Sequence, residues 1–192
     1  MTNILLTGVG GQGTILTTKI LSAALVKLGY DVKMSEIHGM SQRGGTVNTQ
    51  LRYGEKVYAP NISQGEADLI VAFEKVEALR ALPYLKKGGT IVMDDREIYS
   101  MPVLIGAQEY PHNAVELLKE TADSVIVIPA SRIAEELGNI KVQNICLLGA
   151  LAGTLGLNGV DWNALIAENV PAKTVSLNQE AFKRGRESAL SV

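Results

Sequence analysis

Asn3-Ile4-Leu5-Leu6-Thr7-Gly8-Val9-Gly10-Gly11-Gln12-Gly13-Thr14 decides how the rest of the chain is read. A short apolar run breaks into a glycine cluster. The cluster then opens into residues 12–28, where Leu16, Ile20, Leu21, Ala24, Leu25 and Leu28 recur at helical spacing. The pattern is a strand over residues 3–7, a sharp turn and a helix, with Gly29 as the stop signal. The run shows no alternation of polar and apolar residues, as expected for a strand covered by helices on both faces of a mostly parallel sheet.

The same grammar continues outward. A second strand is expected over residues 31–36, followed by the loop Ile37-His38-Gly39-Met40-Ser41-Gln42-Arg43-Gly44-Gly45. Residues 46–53 and 56–58 flank Gly54-Glu55 and read as a hairpin, which brings antiparallel pairing into the sheet. Strands are expected over 68–73 and 90–94. Between them lies a helix over 76–82, ended by Pro83, and a turn at Gly88-Gly89. A mixed loop leads to a helix over 112–121 and an aliphatic strand over 124–128. Helices over 131–137, 142–155, 162–169 (with Asp161 as N-cap) and 177–190 close the chain. With no repeat or linker in sight, the expectation is α/β: a single three-layer α/β/α Rossmann-like domain over residues 1–192 with a mostly parallel, mixed sheet.

Composition removes several classes of function. Eighteen Lys and Arg against 20 Asp and Glu leave a net charge of −2, without the basic excess that nucleic acid or an anionic membrane surface demands. One cysteine in 192 residues supplies neither an internal disulfide nor the ligands of an iron–sulfur cluster. The N-terminus lacks the pattern of a secretory signal, and the longest apolar run is shorter than a bilayer span. A cytoplasmic protein is expected.

The chemistry-bearing candidates are two glycine-rich loops. Gly8, Gly10, Gly11, Gln12 and Gly13 sit where a strand meets a helix start, so amides without an intrahelical acceptor face outward and favour an anion such as a phosphate. A tight turn with no ligand is the other reading. A P-loop would need Lys and then Ser or Thr after the last glycine; Thr14-Ile15 stand there, so nucleotide hydrolysis is not expected. Glu36 is placed where a dinucleotide fold keeps its ribose-binding acid, which keeps NAD or flavin as an alternative. The second loop should lie at the same sheet edge. Arg43 offers a forked cation, His38 a group titrating near neutrality, and Gly44 and Gly45 a backbone able to bend around a partner. Its bland alternative is a surface turn with Arg43 paired to an acid.

Elsewhere the signals are weaker. Glu74 reads either as a crevice residue or as a helix-start acid, and Asp94-Asp95 as solvated acids. Cys146 reads as a buried inert thiol. Gly149 and Gly153 read as a closely packed core helix, with a subunit interface as the sharper alternative. No nucleophile elbow, His-Glu-x-x-His helix or magnesium–thiamine diphosphate segment is present, so the chain is not expected to perform redox chemistry alone.

With both loops in view, the chain resembles the small, gamma-type component of the 2-oxoacid:ferredoxin oxidoreductases, and within them the indolepyruvate branch. The likeness runs almost end to end. Besides the two loops it rests on Ala67-Asp68, Phe73-Glu74, Glu77-Ala78-Leu79-Arg80 and Asn144-Ile145-Cys146-Leu147-Leu148-Gly149-Ala150. The His38-Gly39 start and Ser41-Gln42 before Arg43 are what point to the indolepyruvate branch. The resemblance implies oxidative decarboxylation of aryl pyruvates to an acyl-CoA with ferredoxin reduction. It implies that thiamine diphosphate, Mg2+ and iron–sulfur clusters reside on a large partner subunit, with CoA as co-substrate and no cofactor assigned to this chain alone. His38, Gln42 and Arg43 would then support the shared active site. Gly8, Gly10, Gly11, Gln12, Gly13, Gly44 and Gly45 would bind the anionic part of a cofactor. No metal ligand, nucleic acid or membrane contact is expected. A stand-alone NAD or flavin oxidoreductase and a purely structural partner subunit are the competing readings.

Overall fold

The computed structural model describes residues 1–38 and 45–191, the side chain of His38 excepted. Six strands form one sheet: β1 (Thr2–Val9), β2 (Asp31–His38), β3 (Thr46–Gly54), β4 (Ala67–Ala72), β5 (Leu85–Asp94) and β6 (Ser124–Ile128). Their spatial order is β2-β3-β1-β4-β5-β6. Strands β1, β4, β5 and β6 run parallel, while β3 is antiparallel to both of its neighbours. Two antiparallel steps leave β2 pointing the same way as β1, so both strands finish at one edge.

The helices are α1 (Thr14–Lys27), α2 (Lys75–Ala81), α3 (Met101–Leu104), α4 (Ala114–Thr121), α5 (Ala130–Glu136), α6 (Gln143–Thr154), α7 (Trp162–Asn169) and α8 (Val175–Leu190). Successive residues of β1 serve opposite faces. Ile4 and Leu6 pack into a core shared with α1, α5, α6, α7 and α8. Leu5 joins a smaller core with Ala78 and Ala81 of α2 and Leu118 of α4. Burial on both faces is why the centre of β1, Ile4-Leu5-Leu6, is aliphatic without alternation. The α/β expectation, with a mostly parallel and mixed sheet, is met.

Three local expectations change. Residues 56–58 form no strand; Val57 is buried, and its amide donates to Asp31 Oδ2 at 2.9 Å, tying the segment to the start of β2. The antiparallel partner of residues 46–53 is therefore β2, in an unbroken register from Asp31↔Gly54 to His38↔Val47. Gly88-Gly89 lies inside β5, where the β4–β5 register shifts between Ala67 and Leu69 and Gly88 takes φ 80°. The mixed loop before α4 contains the short helix α3, begun by Pro102 in its first turn. Asp161 caps α7 as expected, accepting from Ala164 N at 3.0 Å.

The two glycines of α6 serve intramolecular packing. A Cβ on Gly149 would stand 2.0 Å from Phe182 O, and one on Gly185 of α8 would stand 1.9 Å from Cys146 O. The two helices cross with backbone almost touching backbone, and ten of the twelve residues of α6 are buried. Cys146 at this crossing is fully covered, and burial pushes its thiol up to about 12, which leaves it unreactive at neutral pH. Gly185→Ala should force the helices apart and cost about 3 kcal/mol, read as a lower urea midpoint at unchanged slope. A midpoint equal to the parent's would contradict this packing.

Candidate functional site

The carboxyl edge of β1 carries the first glycine loop, and its side chains and amides divide the work. Gln12 turns back on its own loop: Oε1 accepts from Val9 N at 2.7 Å, and Nε2 donates to Phe73 O at 2.8 Å. Gly8 lies under that side chain, since a Cβ there would sit 2.9 Å from Gln12 Oε1 and 3.0 Å from Phe73 Cβ. Gly13 caps α1 with φ 80°, and a Cβ there would meet Asn144 Nδ2 at 2.4 Å. Only glycine satisfies both the left-handed backbone and that contact.

The loop leaves a set of donors open. Gly10 N donates to Gly45 O at 3.1 Å, joining the two glycine-rich segments directly. The amides of Gly11, Gly13, Thr14 and Ile15 find no acceptor among the described residues. Gly11 is exposed, with open space where a Cβ would be. The first turn of α1 carries no acidic residue and no side-chain cap. Two of these amides open a 14-residue helix and two stand just before it, and with no acid in the first turn to satisfy them they are chemically suited to phosphate or carboxylate.

The second loop is reached at both ends. His38 ends β2 opposite Val47, and Gly45 precedes Thr46, which pairs with Val9. Gln42, Arg43 and Gly44 lie outside the described residues. Beside this junction Arg80 of α2 donates to Glu77 Oε1 at 2.6 Å and reaches Thr46 Oγ1 at 3.5 Å. Glu74 proves to be the helix-start acid: Oε2 accepts from Glu77 N at 3.0 Å, while Oε1 accepts from Tyr110 OH at 2.5 Å and Ile98 N at 3.2 Å.

Asp94 is not a solvated acid. It is fully covered at the end of β5, because α5 and α6 close over that strand end. Ser131 donates to it from both its amide and its hydroxyl, and Gln143 Nε2 donates to its Oδ2 at 2.7 Å. Gln143 Nε2 also reaches Phe73 O at 3.1 Å, and Gln143 Oε1 accepts from Arg96 at 2.6 Å. Burial outweighs these donors and pushes the Asp94 carboxyl up to about 6. Sequence reading passed over Gln143; a polar residue leading the all-apolar run 145–148 was its available signal.

The geometry also bears on the dinucleotide alternative. That reading needs β2 beside β1, so that Glu36 can reach a ribose held on the first loop. Here β3 intervenes, and Glu36 sits opposite Thr49 two strand spacings, roughly 10 Å, from β1. Among the described residues no cluster of His, Cys, Asp and Glu could hold a metal ion, and no helix is long and apolar enough to cross a membrane.

Comparison with known proteins places this arrangement. Residues 3–188 match the family model described as pyruvate ferredoxin/flavodoxin oxidoreductase. The chain is 39% identical to "Indolepyruvate oxidoreductase subunit IorB" of Thermococcus kodakarensis, over 97% of this chain and 95% of that protein. Its fold is similar to that of the keto/oxoacid ferredoxin oxidoreductase gamma subunit from Geobacter sulfurreducens, with a TM-score of 0.73, 23% identity and full coverage of both chains. It is also similar to part of the 2-oxoglutarate:ferredoxin oxidoreductase from Magnetococcus marinus solved with 2-oxoglutarate, coenzyme A and succinyl-CoA bound. There the TM-score is 0.78 at 22% identity, covering all of this chain and 31% of that one.

The raised Asp94 carboxyl makes a pH-dependent contribution of known sign. Its native value lies above that of an ordinary aspartate, so the native state holds the proton more tightly. The stabilisation is complete below about pH 4 and lost as pH rises through about 6. Asp94→Asn should therefore gain about 3 kcal/mol relative to the parent between pH 4 and pH 7, measured by urea unfolding at each pH. A difference between the two proteins that stays constant across that range would contradict the assignment.

Proposed function

The chain belongs to the pyruvate ferredoxin/flavodoxin oxidoreductase family, and from that premise we propose that it is the small, gamma-type subunit of an enzyme oxidising indolepyruvate and related aryl pyruvates. In this reading the complete enzyme decarboxylates the 2-oxoacid, transfers the acyl group to CoA and passes electrons to ferredoxin. The subunit is inactive alone, consists of a single domain and works in the cytoplasm. Near-complete coverage of a relative named for indolepyruvate supports the substrate branch.

This chain's own residues do not fit the electron-handling groups. Its one cysteine is buried at a helix crossing, and the described residues offer no metal cluster. In this reading thiamine diphosphate, Mg2+ and iron–sulfur clusters reside on the large partner subunit.

The observation that carries the reading is the row of open amides at Gly11, Gly13, Thr14 and Ile15 beside the junction of the two loops. We assign them the phosphate end of CoA, with Arg43 supplying a forked cation and His38 and Gln42 orienting groups where the subunits meet. Gln12, Gly8 and Gly10 hold the backbone in shape, and Gly45 ties the second loop to the first. Catalytic support here means binding and orientation: fixing one end of CoA limits where its thiol can move.

Co-expression with the large subunit tests the assignment. The complex should turn over indolepyruvate with CoA and ferredoxin, and prefer it to pyruvate and 2-oxoglutarate; the small chain alone should not. Arg43→Ala in the complex should raise the KM for CoA about tenfold while thiamine and iron content stay as in the parent. Unchanged KM and kcat would remove Arg43 from the site.

A further inference from the structure

Behind Val9, on the α2 side of the sheet, the segment 98–111 folds over α2 and encloses a pocket of about 80 Å3. A water molecule occupies roughly 30 Å3 of liquid, so this space takes the end of one side chain and excludes a nucleotide or an aryl pyruvate. Its lining carries three carboxylates, Glu74, Glu77 and Glu109, against one guanidinium, Arg80. Glu74 is fully engaged by Tyr110 and two amides. Glu77 is not: its side chain is 2% exposed, Oε1 pairs with Arg80, and Oε2 meets no donor among the described residues. Burial pushes its carboxyl above the usual range despite the Thr46 hydroxyl and Arg80, both of which favour the charged form.

A buried carboxylate with an open oxygen calls for a donor, and a cationic one above all. The walls agree, since Tyr99 and Tyr110, with ring centroids 5.1 Å apart, are surfaces that attract a cation. The stretch that gives Tyr99, Ser100 and Val103 to the lining turns apolar outward. Tyr99, Met101, Leu104 and Ile105 are 45%, 61%, 63% and 71% exposed within seven residues of sequence. A covered charge inside an apolar collar is the anatomy of an interface hot spot.

We infer that this pocket is the socket for a lysine or arginine side chain of the large partner subunit, docked through the exposed apolar stretch 99–105. The inference rests on the subunit role proposed above and names the surface through which that role is exercised.

The test is dilution-driven dissociation of the purified two-subunit complex, followed by analytical gel filtration at several salt concentrations. Glu77→Gln keeps the shape and removes the charge; it should weaken association about tenfold and flatten its salt dependence. Leu104→Asp, on the exposed stretch 99–105, should also weaken association about tenfold, and it decides the matter should Glu77→Gln fail to fold. Parent-like dissociation of both variants, or of Leu104→Asp alone in that case, overturns the socket while leaving the subunit role standing. Methylammonium binding to the parent complex with unchanged dissociation of the variants assigns the pocket to a free amine and equally overturns it. Failure of the parent chain to copurify with the large subunit overturns both readings.

Discussion

The carbonyl oxygen of Phe73, just past the end of β4, accepts hydrogen bonds from Gln12 Nε2 and Gln143 Nε2. One glutamine comes from the glycine loop and the other from the start of α6. Phe73 N in turn donates to Thr7 O at 2.9 Å, which locks β4 to β1 at the same level. Each such bond contributes on the order of 1 kcal/mol net, whereas a buried carbonyl left without a donor costs about 1–3 kcal/mol. Loop, sheet and helix are thus fastened at one backbone atom, and the path continues through Gln143 to Asp94 and Ser131.

That fastening explains how a loop of six residues with four glycines can be ordered enough to bind anything. Glycine-rich backbone is costly to fix, and an anion site works only when its amides already point together. Gln12 closes the loop on itself, Gly45 holds Gly10, and Asn144 packs against Gly13. The remaining amides are left open by the same geometry that orders their neighbours. Preorganisation of this kind lowers the ordering cost of ligand binding, which is where much affinity is otherwise lost.

The α/β alternation and the strand–turn–helix opening were legible because burial on two faces demands continuous apolar strands. The first glycine loop was legible too, since clustered glycine between a strand and a helix has few other uses. What escaped was long-range pairing. Residues 46–53 carry strand character whichever neighbour they take, and nothing local distinguishes a partner after Gly54-Glu55 from one across the 39–45 loop. Asp94 escaped for a related reason. Its burial depends on α5 and α6 closing over β5, and two adjacent acids give no hint of that. The division of labour within the first loop, with Gln12 as a bracket and Gly11 as an open position, depends on Phe73, 61 residues away from Gln12.

Amide hydrogen exchange on the assembled two-subunit enzyme, with and without CoA, tests most directly whether the open amides form the anion site. The account predicts that CoA slows exchange at Gly11, Gly13, Thr14 and Ile15 while Gly10, already bonded to Gly45, changes little. CoA protection appearing elsewhere in the enzyme with these four amides unaltered would contradict it.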